Sequence, residues 1–398
     1  MEFSRNIQNL RPSATIAVST LAKKLRSEGR DVINLSAGEP DFPTPEWISD
    51  AAVESIRKGY TGYTPAPGLP ELRAAIAKHL AGRSKGGWSI DASQVVVSAG
   101  AKQSLFNACF TLFGPGDEVL VASPYWTSYP QIVELAQATP RFVAGPEERG
   151  FRLTAEELDA AATDGTRGLI LCSPSNPTGT VYSREELAEV AAWAKSRDIV
   201  LISDEIYRWI YFGDEGSAAA GILDLDASVL GPHVVIDGVS KSYAMTGWRI
   251  GYAVAAAEVA GKMSALQSHT TSNPSAPAQY ATLAALTQEE RATAEIREMV
   301  KAFRRRRDLA VALIREHLPH LSLVEPKGAF YLFVRVDSEF DDEVGDSQAW
   351  CSKVLEETGV AMVPGAAFGD DRYVRLSYAT SDELLEEAIR RLAEDRGR

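Results

Sequence analysis

Cysteine is scarce in this chain of 398 residues. Cys109, Cys172 and Cys351 form an odd, widely spaced set. That excludes a disulfide framework and reads as reduced core thiols in a cytosolic protein. Histidine is nearly as sparse. None of His79, His233, His269, His317 and His320 stands in a metal-ligand spacing. The His317/His320 pair around Leu318-Pro319 reads as a helix end, and no metal is expected. Positive charge is in deficit: 41 Lys and Arg face 54 Asp and Glu, a formal net charge of −13. The balance speaks against nucleic acid or an anionic membrane as partner, although local cations can still hold an anionic substrate. No run of about 18 apolar residues occurs, so no membrane span is expected. The start, Met1-Glu2-Phe3-Ser4-Arg5, lacks the apolar stretch of a signal peptide. Internal repeats and low-complexity tracts are lacking too.

What the chain has is the material of a large core. Hydrophobic residues make up 45% and charged residues 24%, the balance of a globular, enzyme-sized protein. At about 150 residues per domain the length suggests two to three domains. Apolar runs over residues 94–98, 118–122, 168–172, 199–203, 234–237 and 250–254 alternate with helical stretches. Two of the helices open on capping boxes, Thr154 with Glu157 and Ser183 with Glu186. Thr44 before Pro45 reads as another helix cap. Continuous apolar strands alternating with helices predict a mostly parallel sheet covered on both faces. This large α/β domain is expected over residues 46–285. Beyond it the texture changes. A long charged helix is expected over residues 289–317, with Arg304-Arg305-Arg306-Arg307 as a solvated face. Strands over 329–336 and 374–378 and helices over 347–357 and 381–395 follow. Residues 286–398, completed by 1–45, are read as a smaller α+β domain.

In an open parallel sheet, ligands sit at the carboxyl ends of the strands. The polar residues after each apolar run are therefore candidates to converge. Ser98-Ala-Gly-Ala-Lys102 opens a helix whose amides can hold a phosphate. Ser173-Pro-Ser-Asn176-Pro-Thr-Gly179 puts an asparagine in a tight turn, and Ser203-Asp204-Glu-Ile-Tyr207 ends a further strand. Each has a plain structural reading as a turn or helix cap. After the next strand comes Ser240-Lys241-Ser242, with Arg249 eight residues on from Lys241. Lys241 is either a solvated loop lysine or a Schiff-base lysine, its amine kept partly neutral by burial and a nearby cation. An amine, an anion clamp and an acidic partner are what pyridoxal phosphate requires.

With these stretches in order, the chain resembles the class I pyridoxal-phosphate aminotransferases of fold type I. It is most similar to the bacterial aspartate and aspartate/prephenate branch, over residues 12–380. The resemblance rests on Ala37-Gly-Glu-Pro-Asp-Phe42, Ser173–Gly179, Ser203–Tyr207, Ser240–Gly251 and Val374-Arg-Leu-Ser-Tyr378. It implies that Lys241 carries the cofactor and moves the Cα proton, and that Asp204 pairs with the pyridine nitrogen. Asn176 and Tyr207 would hold the ring's phenolic oxygen, and Trp126 would stack on its face. Gly100, Ala101, Lys102, Ser240 and Arg249 would surround the phosphate, joined by Tyr63 from a partner subunit in a homodimer. Arg375 would fork the substrate α-carboxylate, with Trp126 and Asn176 beside it and Gly38 donating from its backbone. No arginine occurs between Arg249 and Arg291, so the distal carboxylate would fall to Lys102 and Thr15, with Arg11 in a lesser part. The implied reaction moves an amino group between L-aspartate and 2-oxoglutarate by a ping-pong route in the cytoplasm. Prephenate is the alternative substrate, and a C–S lyase on the same fold is a further reading. A transcription regulator with this module would need a DNA-binding domain in front, which the sequence is not expected to hold.

Overall fold

The computed structural model describes residues 12–394, together with residues 3, 4, 7, 8 and 10. Near the start, β1 (Ile33–Asn34) is a short strand. The next seven are β2 (Val95–Ser98), β3 (Glu118–Ser123), β4 (Thr139–Ala144), β5 (Thr166–Cys172), β6 (Val200–Asp204), β7 (His233–Gly238) and β8 (Gly251–Ala255). They form one sheet in the order β2-β8-β7-β6-β5-β3-β4. Strands β4, β3, β5, β6 and β7 pair parallel, and β8 runs antiparallel to both its neighbours. The expected α/β architecture, a mostly parallel sheet between helices, is what the chain adopts.

Burial explains why these strands read as unbroken apolar runs. Successive side chains point to opposite faces, and here both faces are covered. Val95, Val97, Leu120, Leu169 and Leu201 pack into one core. Val96, Val119, Val121, Ile170 and Ile202 pack into the core on the other side. β4 escaped the sequence reading because it is the sheet's edge. Its residues Thr-Pro-Arg-Phe-Val-Ala are mostly exposed, so it carries no apolar run, and a proline there breaks no inner ladder.

The remaining strands are β9 (Ser322–Leu323), β10 (Tyr331–Arg335), β11 (Val360–Ala361), β12 (Val363–Pro364) and β13 (Tyr373–Ser377). β12-β13-β10-β9 make an antiparallel sheet, and β11 pairs parallel with β1. The helix Glu289–His317 joins the two regions. Ala292 and Ile296 belong to the core of the large sheet. Further along, Met299, Phe303, Ala310 and Ile314 belong to the core of the smaller one. The last described helix is Asp382–Glu394, and residue 395 lies outside the described residues.

Local signals fared unevenly. Both capping boxes close as expected, Ser183 Oγ accepting from the Glu186 amide and Glu186 accepting from that of Ser183. Thr44 does not cap the helix Glu46–Arg57. Pro45 holds that position, while the Thr44 hydroxyl donates to the Ala244 carbonyl at 2.7 Å. The arginine run is not one solvated face. Arg306 is buried and ion-paired with Asp41 at 2.8 Å and Asp382 at 3.3 Å. Arg307 turns to the Pro326 carbonyl at 2.6 Å. Four consecutive helical residues point around the whole circumference, so one of them had to meet the core. All three cysteines are free and buried. Among the described residues no helix is long and apolar enough to cross a membrane.

Candidate active site

The parallel strands deliver their carboxyl ends to one edge of the large sheet. Register sets the heights: Cys172 at the end of β5 pairs with Asp204 at the end of β6, and Asp204 with Ile236 on β7. The turns after these strands therefore open on a common cavity of about 430 Å³. Ala101, Lys102, Trp126, Asn176, Asp204, Tyr207, Ser240, Lys241 and Arg249 line it. Residues far away in sequence close it: Thr15 and Gly38 from the N-terminal part and Arg375 from β13.

Lys241 is half-buried, and its Nζ donates to the Gly38 carbonyl at 2.5 Å. Burial pushes its amine down to about 8; Arg375 and Arg249 act in the same sense, against Glu39 and Asp204. That excludes the reading as a solvated loop lysine. Asp204 is buried and pushed up to about 6, chiefly by burial. Its Oδ2 accepts from the Tyr129 hydroxyl at 2.8 Å, and its Oδ1 from the Ile206 amide at 3.2 Å. A buried carboxylate in this position is relieved by a cation brought to it.

Arg375 decides most about what the cavity takes. It is 1% exposed. Its Nη1 donates to Asn176 Oδ1 at 2.9 Å and its Nη2 to the Ser36 carbonyl at 2.8 Å. Its Nε is buried with no partner. The guanidinium lies 4.3 Å from the Tyr331 ring centroid. No carboxylate of the described residues lies within ion-pair distance of it. An unpaired buried charge costs several kcal/mol, roughly, and an incoming anion offsets that.

The other end of the cavity is built for a second anion. Gly100, at φ +93°, starts the helix Ala101–Leu112, and no side chain caps its first turn. The first turn of this helix lines the cavity together with Arg249 and Ser240, and its open amides and positive end favour an anion there. A Cβ on Gly100 would stand 2.4 Å from Arg249 Nη2, so only glycine leaves the cradle open. Arg249 itself adopts φ +56° and donates to the carbonyls of Thr246 at 2.9 Å and Ala99 at 3.3 Å. Lys102 Nζ stands 4.9 Å from the Trp126 ring centroid. Burial and Arg249 both lower its pKa. A lysine, a phosphate cradle, an acid for a ring nitrogen and an aromatic face are the donor set that pyridoxal phosphate requires. The residues present fit that cofactor.

Tyr63 is 93% exposed and does not line the cavity. The Gly38 carbonyl accepts from Lys241 Nζ at the cavity wall. Arg11 lies outside the described residues. Sequence reading also missed residues. Tyr129 lines the cavity, three residues beyond Trp126 on the following helix; helical spacing could have found it. Tyr331 lines it too and shares a 2.8 Å hydrogen bond with Tyr207. It reaches the site because Phe333 pairs with Arg375 across β10 and β13, which sets Tyr331 two residues along on the neighbouring strand. Lys23 and Glu39 complete the mouth, and Glu39 accepts from Thr246 Oγ1 at 2.9 Å.

Comparison with known proteins agrees with this geometry. Residues 30–392 match the family of class I and II aminotransferases. The chain is 42% identical over 394 residues to the aspartate aminotransferase of Bacillus subtilis, covering 98% of each chain. It is also 42% identical to the aspartate/prephenate aminotransferase of Cereibacter sphaeroides, covering 98% of this chain and 97% of that one. Among solved structures, aspartate aminotransferase from Thermus thermophilus with maleate superposes with a TM-score of 0.92 at 39% identity, over 99% of both chains. With sequence and backbone shared along their whole length, the chain belongs to the class I and II aminotransferases and is a pyridoxal-phosphate-dependent transaminase of fold type I.

Proposed function

We propose that the enzyme moves an amino group between L-aspartate and 2-oxoglutarate in two alternating half-reactions. The observation that carries the proposal is the buried, carboxylate-free Arg375 in one cavity with Lys102. Two cations in a shared cavity suit a substrate with two carboxylates. Bound pyridoxal phosphate supplies an electron sink at the substrate Cα. Lys241, its amine lowered to about 8, would hold the cofactor and take the proton from the substrate Cα. Asp204 would pair with the cofactor's ring nitrogen and hold its proton there. Arg375 forks the α-carboxylate, and Asn176 holds the guanidinium in plane from the other side. Lys102 meets the distal carboxylate, joined by Thr15, whose hydroxyl is buried without a partner.

Residues 46–285 act as the large domain, and residues 1–45 with 286–398 as the small one. Arg375 and Thr15 belong to the small domain, so a substrate anion draws it inward and excludes water. The enzyme acts as a homodimer, Tyr63 of each subunit reaching the phosphate of the other. A side chain so exposed on one chain suits burial by a second copy. The relatives' names support aspartate as donor, and maleate in the Thermus structure is itself a dicarboxylate. Prephenate, which also carries two carboxylates, is the second reading, favoured by the relatives named for both substrates.

The test is a half-reaction panel. The cofactor-loaded enzyme receives one amino acid at a time, and the absorbance change to the pyridoxamine form is followed. Fast conversion by aspartate and glutamate is expected, and prephenate is then offered to the pyridoxamine form. Lys102→Ala should lose the preference for dicarboxylic amino acids. Conversion mainly by aromatic or branched amino acids would overturn the aspartate assignment.

A further inference from the structure

A second cavity, of about 330 Å³, opens between the helix Glu289–His317 and the segment 209–217. It shares no lining residue with the active site. Its volume falls within the range of small-ligand sites. Trp209, Tyr211, Ile296 and Val300 form an apolar wall. The rest of the lining carries five cations, Arg83, Arg297, Lys301, Arg304 and Arg305, against two acids, Glu215 and Asp308, in a chain whose net charge is −13.

The cations are not equivalent. Arg83 lies 4.1 Å from the Trp209 ring centroid and is held by Glu289 at 2.7 Å. Lys301 pairs with Glu215 at 3.2 Å, and Arg305 with Asp382 at 2.8 Å. Asp308, the other acid of the lining, is taken by Arg307 at 2.6 Å. That leaves Arg297 and Arg304. Arg304 donates to the Gly213 carbonyl. Arg297 packs against the backbone of Gly216, where a Cβ would stand 3.4 Å from its Nε. Neither forms an ion pair among the described residues. Being seven residues apart, they project from one face of the helix.

We propose that this cavity is a binding site for an aromatic carboxylate. The flat ring lies against Trp209 and Tyr211, and the carboxylate is forked by Arg297 and Arg304. A simple inorganic anion would leave the apolar wall wet, and a neutral aromatic would leave the two guanidinium groups unmatched.

The experiment uses the cofactor-loaded enzyme saturated with maleate, so that Arg375 is already occupied, and 2-naphthoate, which has no amino or oxo group to transfer. Calorimetric titration should show saturable binding at one site per chain. Arg297→Glu should weaken it at least about tenfold, about 1.4 kcal/mol, and Arg297→Ala should weaken it less, in the same direction. Both variants should keep the half-reaction rate with amino acid, because Arg297 is remote from that site. Sodium acetate at equal concentration should not displace the ligand. Absence of saturable binding, unchanged affinity in both Arg297 variants, or displacement by acetate would each overturn the proposal.

Discussion

Lys241 and Asp204 both stand at protonation equilibria that burial has turned against their charged forms. The Asp204 carboxyl is pushed up to about 6. The folded chain therefore holds a proton that the unfolded chain has lost, and stability falls as pH rises through 6. Lys241 is pushed down to about 8. Its contribution to stability is full only above the unfolded amine's pKa and is lost as pH falls through 8. At neutral pH the cofactor-free site is thus strained at both residues. Asp204→Asn should stabilise the cofactor-free protein by up to about 3 kcal/mol above pH 6. Urea denaturation at pH 7.5 and pH 5 checks this; the gain should shrink at the lower pH, and an equal gain at both would refute the electrostatic cause. The same variant should hold pyridoxal phosphate less tightly. Arg375→Lys keeps the charge but loses the planar fork. It should raise KM for aspartate about tenfold or more, roughly the loss of one charge-assisted hydrogen bond, and steady-state kinetics will show whether kcat falls less than kcat/KM.

At the scale of elements, the helix Ala101–Leu112 is the one whose start matters most. Gly100 holds φ +93° beside Arg249. Gly100→Ala adds strain of about 1–3 kcal/mol in that backbone region, which is nearly reserved to glycine, and would press on the Arg249 guanidinium. Titration of the cofactor-free enzyme with pyridoxal phosphate should show affinity reduced at least about tenfold, with the fold retained. The start of the helix Arg184–Ser196 is structural. Ser183→Ala removes the acceptor for the Glu186 amide at 3.2 Å and should cost about 1 kcal/mol in denaturant unfolding with no change in kcat. These capping boxes were legible because both partners lie within four residues of each other. The edge strand β4 was not, since its exposed residues carry no periodic signal.

For the whole molecule, the question is how many chains make a site. Tyr63 is exposed on its own chain and is read here as part of a partner's phosphate cradle. The protein should sediment as a dimer of 43.1 kDa chains. Tyr63→Ala and Lys241→Ala should each be impaired alone. Unfolded together and refolded as a mixture, they should recover activity beyond either variant, because one site of each hybrid is intact. A mixture no more active than its components would place Tyr63 outside the site. The long helix Glu289–His317 matters at this scale too. It contributes to the cores of both sheets, so the sheet that carries β13 and Arg375 is tied to the large sheet through one element.

Taken by itself, the sequence determined the local part of this protein. Alternating apolar runs and helices announced the α/β sheet, and polar residues after the runs announced Asn176, Asp204 and Lys241. These signals are periodic or short-range, so they survive without coordinates. Only the tertiary structure decided what those residues meet. Arg375 is brought to Asn176 across 199 positions of chain. Tyr331 reaches Tyr207 through the register of β10 on β13. Arg306 is buried while Arg305 beside it stays exposed. The second cavity exists because the segment after Tyr207 folds over one face of a helix nearly a hundred residues downstream. Register and packing join residues whose distance along the chain carries no information about their distance in space, and that is where the chemistry of this site was settled.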